Sequence, residues 1–176
     1  MKRTIGVIHR PREYGSAMLE FILAGIASVC LTICTVAVAY GMWNYHTLAY
    51  AVHEATRYAA VHGKGCTDPG NNCSVTVGSI MRKIAHNAIG ISAERMLVRL
   101  STDSGAQMIC NPITACYSSP VVWPPSSNDD NQTGKKITVE AQYQFRSALL
   151  YLWPGARIQR IAAVNLPAAS TQTIIF

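Results

Sequence analysis

Between Glu20 and Glu54 this chain carries no Asp, Glu, Lys or Arg, and from Phe21 to Trp43 it is dominated by Ile, Leu, Val and Ala. A run of this kind leaves few choices. About 20 residues of helix cross the hydrocarbon core of a bilayer, whereas a helix on a soluble domain needs a polar face along its length. The stretch from Gly15 to Met42 therefore reads as a membrane segment.

Glu20 stands near one end of that run. An ionised side chain within an apolar helix costs roughly 2.5 to 3.5 kcal/mol near the bilayer centre and usually has a partner. Arg10 and Arg12 lie just upstream, and Glu20 comes five residues after Gly15. A cut after Gly15 would give Ser16 a new ammonium group one helical turn from Glu20, or near the Glu20 of a neighbouring copy. The charge would then be paired.

Gly15, four intervening residues, Glu20 and Phe21 resemble the cleavage motif of prepilin peptidase substrates, in which a Glu stands fifth in the mature chain and an aromatic follows it. Ser16 at the first mature position, where typical type IV pilins have Phe, is similar to the tight-adherence (Tad) branch. The segment Ala51-Val52-His53-Glu54-Ala55-Thr56-Arg57-Tyr58-Ala59-Ala60 resembles the Ala-rich segment of TadE-like pseudopilins, with Thr56 where that family often has another small residue. The resemblance covers about residues 12 to 62. It implies removal of residues 1–15 by a prepilin peptidase between Gly15 and Ser16. It further implies pairing of Glu20, followed by Phe21, with the new amino terminus, and a minor pilin or pseudopilin that takes part in assembly of Flp-type adhesive pili. Its partners would be the peptidase, the other pilins of the Tad machine and the inner membrane.

Residues 1–15 form a basic leader, and an excess of Lys and Arg beside an apolar run keeps that end in the cytoplasm. The rest of the chain then faces outward, periplasmic or extracytoplasmic. A cleaved secretory signal competes with this reading, because Ala37-Val38-Ala39 is a small-x-small site before Tyr40. It would free a soluble, disulfide-stapled binding domain after Ala39. Against it stand the length of the apolar core, Glu20 at its start, and the helical pattern that continues past the supposed cut. A third reading, a pseudopilin of a type II secretion system, shares the Gly15 site but supports export instead of adhesion.

From Asn44 to Val61 the apolar positions Tyr45, Leu48, Ala49, Val52, Ala55 and Ala59 recur at helical spacing, with His46, Tyr50, His53, Glu54 and Arg57 on another side. The helix should run on from the membrane as an amphipathic spine over residues 16–62, about 70 Å long if continuous. Gly63 and Gly65 then stop it. Within the membrane run, Cys30 and Cys34 read as small packing residues. With Gly25, Ser28 and Thr32 they keep the helix narrow enough for close self-association in the bilayer.

Residues 63–176 are expected to form a small pilin-like α+β head. Val75 to Ile89 reads as a second helix, with Val77, Ile80, Ile84, Ala88 and Ile89 on its apolar face. Met96 to Leu100, Ile137 to Phe145 and Arg157 to Leu166 read as about three antiparallel strands, the middle one alternating apolar and polar without a miss. Asp103 to Gly134, rich in Ser, Pro, Asn and Asp, reads as a long exposed loop. Leu149 to Gly155 is an apolar segment suited to covering a sheet edge or touching a partner. Cys66, Cys73, Cys110 and Cys116 are even in number and fall in the part placed outside the cytoplasm, which argues for disulfides. Three connectivities are possible; the short separations favour Cys66 with Cys73 and Cys110 with Cys116. Neither pair has the spacing of a zinc knuckle.

Catalytic patterns fail at specific positions. His53-Glu54-Ala55-Thr56-Arg57 opens like a zinc-protease helix, but Arg57 stands where the second ligand must be. Gly63-Lys64-Gly65 lacks the remainder of a phosphate loop, and no Gly-x-Ser-x-Gly elbow occurs. Asp129 and Asp130 read as solvated loop residues, with calcium as the sharper alternative. Half of the formal charge of +6 comes from the leader, leaving the rest too even for a nucleic-acid reader. The expectation is a non-enzymatic, single-pass structural protein with no cofactor, no metal and no nucleic-acid partner.

Overall fold

In a computed structural model that describes residues 14–62, 75–146 and 163–175, the long apolar run is one α-helix, α1, Tyr14–Val61, of 48 residues. The chain divides into two compact units with the boundary between Val36 and Ala37. In the first unit the described residues belong to α1. Met18, Leu19, Phe21, Leu23, Ile26 and Leu31 are each at least 60 % exposed there. The threonine hydroxyls in this apolar stretch are satisfied internally: Thr32 Oγ1 donates to the Ser28 carbonyl and Thr35 Oγ1 to the Leu31 carbonyl, both at 2.9 Å. Such i−4 bonds let a threonine sit in hydrocarbon with its donor satisfied.

The second unit contains the remainder of α1 and an α+β head. Here α1 changes character. Leu48, Ala51, Val52, Ala55, Ala59 and Ala60 are buried, together with Asn44 and Thr56. Thr56 Oγ1 donates to the Val52 carbonyl at 2.7 Å and Asn44 Nδ2 to the Tyr40 carbonyl at 3.0 Å. The buried stripe is rotated slightly from the expected one. Tyr45 is exposed and Asn44 takes the inward place, because the line through Leu48 and Val52 extends back four residues to position 44.

Helix α2, Val77–Asn87, starts at a capping box in which Thr76 and Ser79 exchange side-chain and backbone hydrogen bonds. Val77, Ile80, Met81 and Ile84 are buried along one side. The expected span reached Ile89, but the helix stops at Asn87 and Ile89 lies 71 % exposed, beyond the turn of the stripe that meets the core. Gly78 has no room for a side chain: a Cβ would come within 2.6 Å of the Tyr117 carbonyl oxygen. Its amide donates to the Ser119 carbonyl at 3.2 Å and that of Val77 to Val121 at 2.7 Å. The start of α2 is thereby bound edge-on to the 117–121 segment.

Four antiparallel strands follow: β1 Met96–Thr102, β2 Gln107–Cys110, β3 Lys136–Arg146 and β4 Ala163–Thr173, in the spatial order β2-β1-β3-β4. Strand β3 carries the alternation expected of it, with Ile137, Val139, Ala141, Tyr143 and Phe145 buried. Two readings need correction. A fourth strand, β2, lies inside the stretch expected to be a loop; it is short and follows a turn in which Gly105 has a φ of +90°. The rest of that stretch is exposed only in part, since Ile113, Trp123 and Asp130 are buried among exposed neighbours and Thr76 forms a β-bridge with Val122. The last strand also runs on from Leu166 to Thr173, through Pro167. Proline is excluded from the middle of a sheet but tolerated on an edge, where its missing N–H deprives no neighbour, and β4 is such an edge.

Side chains from α1, α2 and the inner faces of β1, β3 and β4 share one core, to which Cys110, Ile113 and Ile174 also belong. Residues 1–13 of the expected leader, the stop at Gly63 and Gly65, the Cys66 and Cys73 pair, the segment Leu149 to Gly155 and the first part of the expected third strand lie outside the described residues.

Candidate membrane anchor and head surface

Four features carry functional weight: the apolar half of α1, its start, the cysteines and the outer face of the head. Among the described residues one helix, α1 over Ala17–Val61, is long and apolar enough to cross a membrane, and none of its most apolar window is buried against protein. Large aliphatic side chains pointing outward along successive turns have no use in water; burying one in an apolar phase is worth about 1.5 to 3 kcal/mol. A shallow concavity beside Gly25, lined by Phe21, Ile22, Ile26, Val29 and Cys30, interrupts the surface. No heavy atom lies within 4 Å of the position a Gly25 Cβ would take.

Gly15 and Ser16 fall within the first turn of α1. Glu20 lies one turn further on, exposed, and Phe21 beside it is 79 % exposed. Cys30 and Cys34 are free thiols on the exposed surface of the same helix. In the head, Cys110 and Cys116 form a disulfide with a Cα–Cα distance of 5.9 Å. It links the end of β2 to the short 3-10 turn Ile113–Cys116, and so holds Asn111 beside the sheet.

Asp130 is fully buried, which corrects its reading as a solvated loop residue. Its Oδ2 accepts from Thr102 Oγ1 at 2.8 Å and from Ser104 Oγ. Asp103 Oδ2 accepts from the Lys136 amide at 3.1 Å. Together these carboxylates tie the β1–β2 turn to the chain entering β3, a role that a polar stretch without periodicity gives no means of foreseeing. Among the described residues no group of three or more His, Cys, Asp or Glu is placed to hold a metal ion. Trp123, also unforeseen in the core, sits there with its amide donating to the Val75 carbonyl at 2.8 Å; its size was the one signal in the sequence.

Burial pushes the phenol of Tyr117 above its ordinary value near 10. Lys83 Nζ lies 5.8 Å from the centre of the Tyr58 ring, and Arg82 donates to the Tyr117 carbonyl at 3.1 Å. These contacts hold α2 in place and assemble no reactive group. Comparison with protein-family models, curated proteins and solved structures gave no match to the chain.

Proposed function

We propose that this protein is a membrane-anchored minor pilin or pseudopilin of the tight-adherence type, which takes part in assembly of Flp-type adhesive pili without being an enzyme. The observation that carries the reading is α1. A single helix offers lipid-sized apolar side chains to its surroundings over one stretch and packs an Ala-rich stripe into an α+β head over the next. The motif Gly15 through Glu20 and Phe21 at its start supports the same reading. In this account the leader stays in the cytoplasm and the head is extracytoplasmic. A prepilin peptidase cuts between Gly15 and Ser16, where any side chain on Gly15 would obstruct approach to the backbone. Glu20 then pairs with the new ammonium group, in the membrane or at a subunit junction, and sister helices pack along the apolar stretch.

The decisive measurement is the amino-terminal residue of the protein recovered from its native cell envelope, by intact mass or Edman degradation. A start at Ser16 is expected. A start at Tyr40 would make it a secreted domain, and a start at Met1 an ordinary signal-anchored protein. Gly15→Val should abolish the processed form, whereas Glu20→Ala should spare insertion and lower the yield of assembled pili; normal maturation of the first or normal pili from the second removes the role assigned to that residue.

A further inference from the structure

The outer face of the sheet, opposite the core, carries a groove of about 300 Å³ lined by Glu94, Arg95, Asn111, Gln142, Gln144 and Asn165, with Leu97 as its apolar member. The strands place these groups with little freedom. Gln142 stands opposite Leu97 of β1, and Gln144 opposite Asn165 of β4. Asn111 follows the disulfide-bonded Cys110, and Glu94 with Arg95 forms the 3-10 turn that enters β1. All six polar residues are exposed, and among the described residues none of their side chains forms a hydrogen bond or ion pair with another residue. Four carboxamides, a carboxylate and a guanidinium therefore converge with their hydrogen-bonding capacity unspent.

We propose that this groove is a binding site for a neutral saccharide. Each carboxamide offers a donor and an acceptor side by side, which suits vicinal hydroxyls, each of them donor and acceptor at once. Glu94 and Arg95 add charge-assisted bonds of the kind that grip a diol from both sides. Their charges cancel, so the groove is formally neutral and matches an uncharged ligand. Other classes fit worse. A phosphate would meet one guanidinium with a carboxylate next to it, a metal ion would find one carboxylate, and a lipid or aromatic ligand would have only Leu97 to lie against. Glu94 is the one carboxylate in its lining, so the pair of carboxylates that cleaves a glycosidic bond is not assembled there. The volume is at the lower end of ligand-sized cavities and accommodates a mono- or disaccharide unit, with the rest of a longer glycan in solvent. The strands fix the backbone of Gln142, Gln144 and Asn165, but ordering each long exposed side chain costs about 0.5 to 1.5 kcal/mol, which places the expected affinity in the weak range.

The test uses the full-length chain in detergent micelles with cellotetraose and chitotetraose as probes, followed by titration calorimetry and saturation-transfer NMR. Saturable binding of at least one tetrasaccharide, with a Kd of about 1 mM or tighter, is expected. Gln142→Ala and Asn165→Ala should each weaken it about fivefold, the effect of one lost hydrogen bond, with Tm unchanged because both side chains are exposed. Gln107→Ala, exposed on β2 outside the groove, should leave it unchanged. Absence of saturation by both sugars, binding that survives both groove variants, or a stronger response to inorganic phosphate or an acidic peptide overturns the proposal. The readout does not depend on where the chain is processed, so it fails or succeeds separately from the pilin reading.

Discussion

The two stretches of α1 are equally helical, yet the first is apolar around its whole circumference and the second along one stripe only, with His53 and Arg57 exposed beside it. Between Ala17 and Val36 the prominent side chains are Leu, Ile, Val, Met and Phe, and they are exposed. Between Leu48 and Ala60 the inward stripe is mostly Ala, with Leu48, Val52 and Thr56, and it is fully buried. Among the apolar positions themselves, side-chain size also separates the two. A side chain meant for fluid hydrocarbon gains by area and has no neighbour to clash with, whereas one meant for a packed protein interior must fit a fixed space.

That difference can be broken most strongly at Leu48. Leu48→Ala should destabilise the head by about 2 to 5 kcal/mol, read as chemical unfolding in micelles, whereas Leu31→Ala should change it by less than about 0.5 kcal/mol; equal effects would erase the distinction. A charge reverses the asymmetry. Val29→Arg should cost about 2.5 to 3.5 kcal/mol of insertion, so the protein should wash from membranes in alkaline carbonate while the near-ultraviolet dichroism of the head is kept. Enlargement sharpens the contrast further: Ala55→Leu should cost about 1 to 3 kcal/mol by overpacking, and Ala24→Leu, in the exposed stretch, almost nothing. The smallest expected effect lies outside α1. Because burial raises the Tyr117 phenol in the folded state, the neutral form is favoured by folding. Its contribution is fully present below the unfolded value of about 10 and is lost as pH rises through the higher folded one. Melting temperature should therefore fall more steeply above about pH 10 in the native protein than in Tyr117→Phe.

What could be read from the sequence follows the same division. The apolar run, the Ala-rich helix and β3 announce themselves because each repeats one environment over many residues, as in the alternation from Ile137 to Phe145. Strand β2, four residues long, is too short to show a period, and Pro167 argues against a strand unless the edge position of β4 is known beforehand. The buried Asp130 and Trp123 owe their places to tertiary contacts with Thr102, Ser104 and Val75, which no local pattern encodes. The groove was likewise invisible: Glu94, Asn111, Gln142 and Asn165 are scattered polar residues until pairing of β1, β3 and β4 brings them to one face.

The buried stripe of α1 also solves a problem of alignment. Ala51, Ala55 and Ala59 form one ridge whose teeth, four residues apart, are identical, so sliding the helix by a turn would replace alanine with alanine along it. The ridge beside it, Leu48, Val52, Thr56 and Ala60, narrows from one end to the other. The uniform ridge sets how near the helix lies to its neighbours; the tapered one works as a wedge that seats at a single depth.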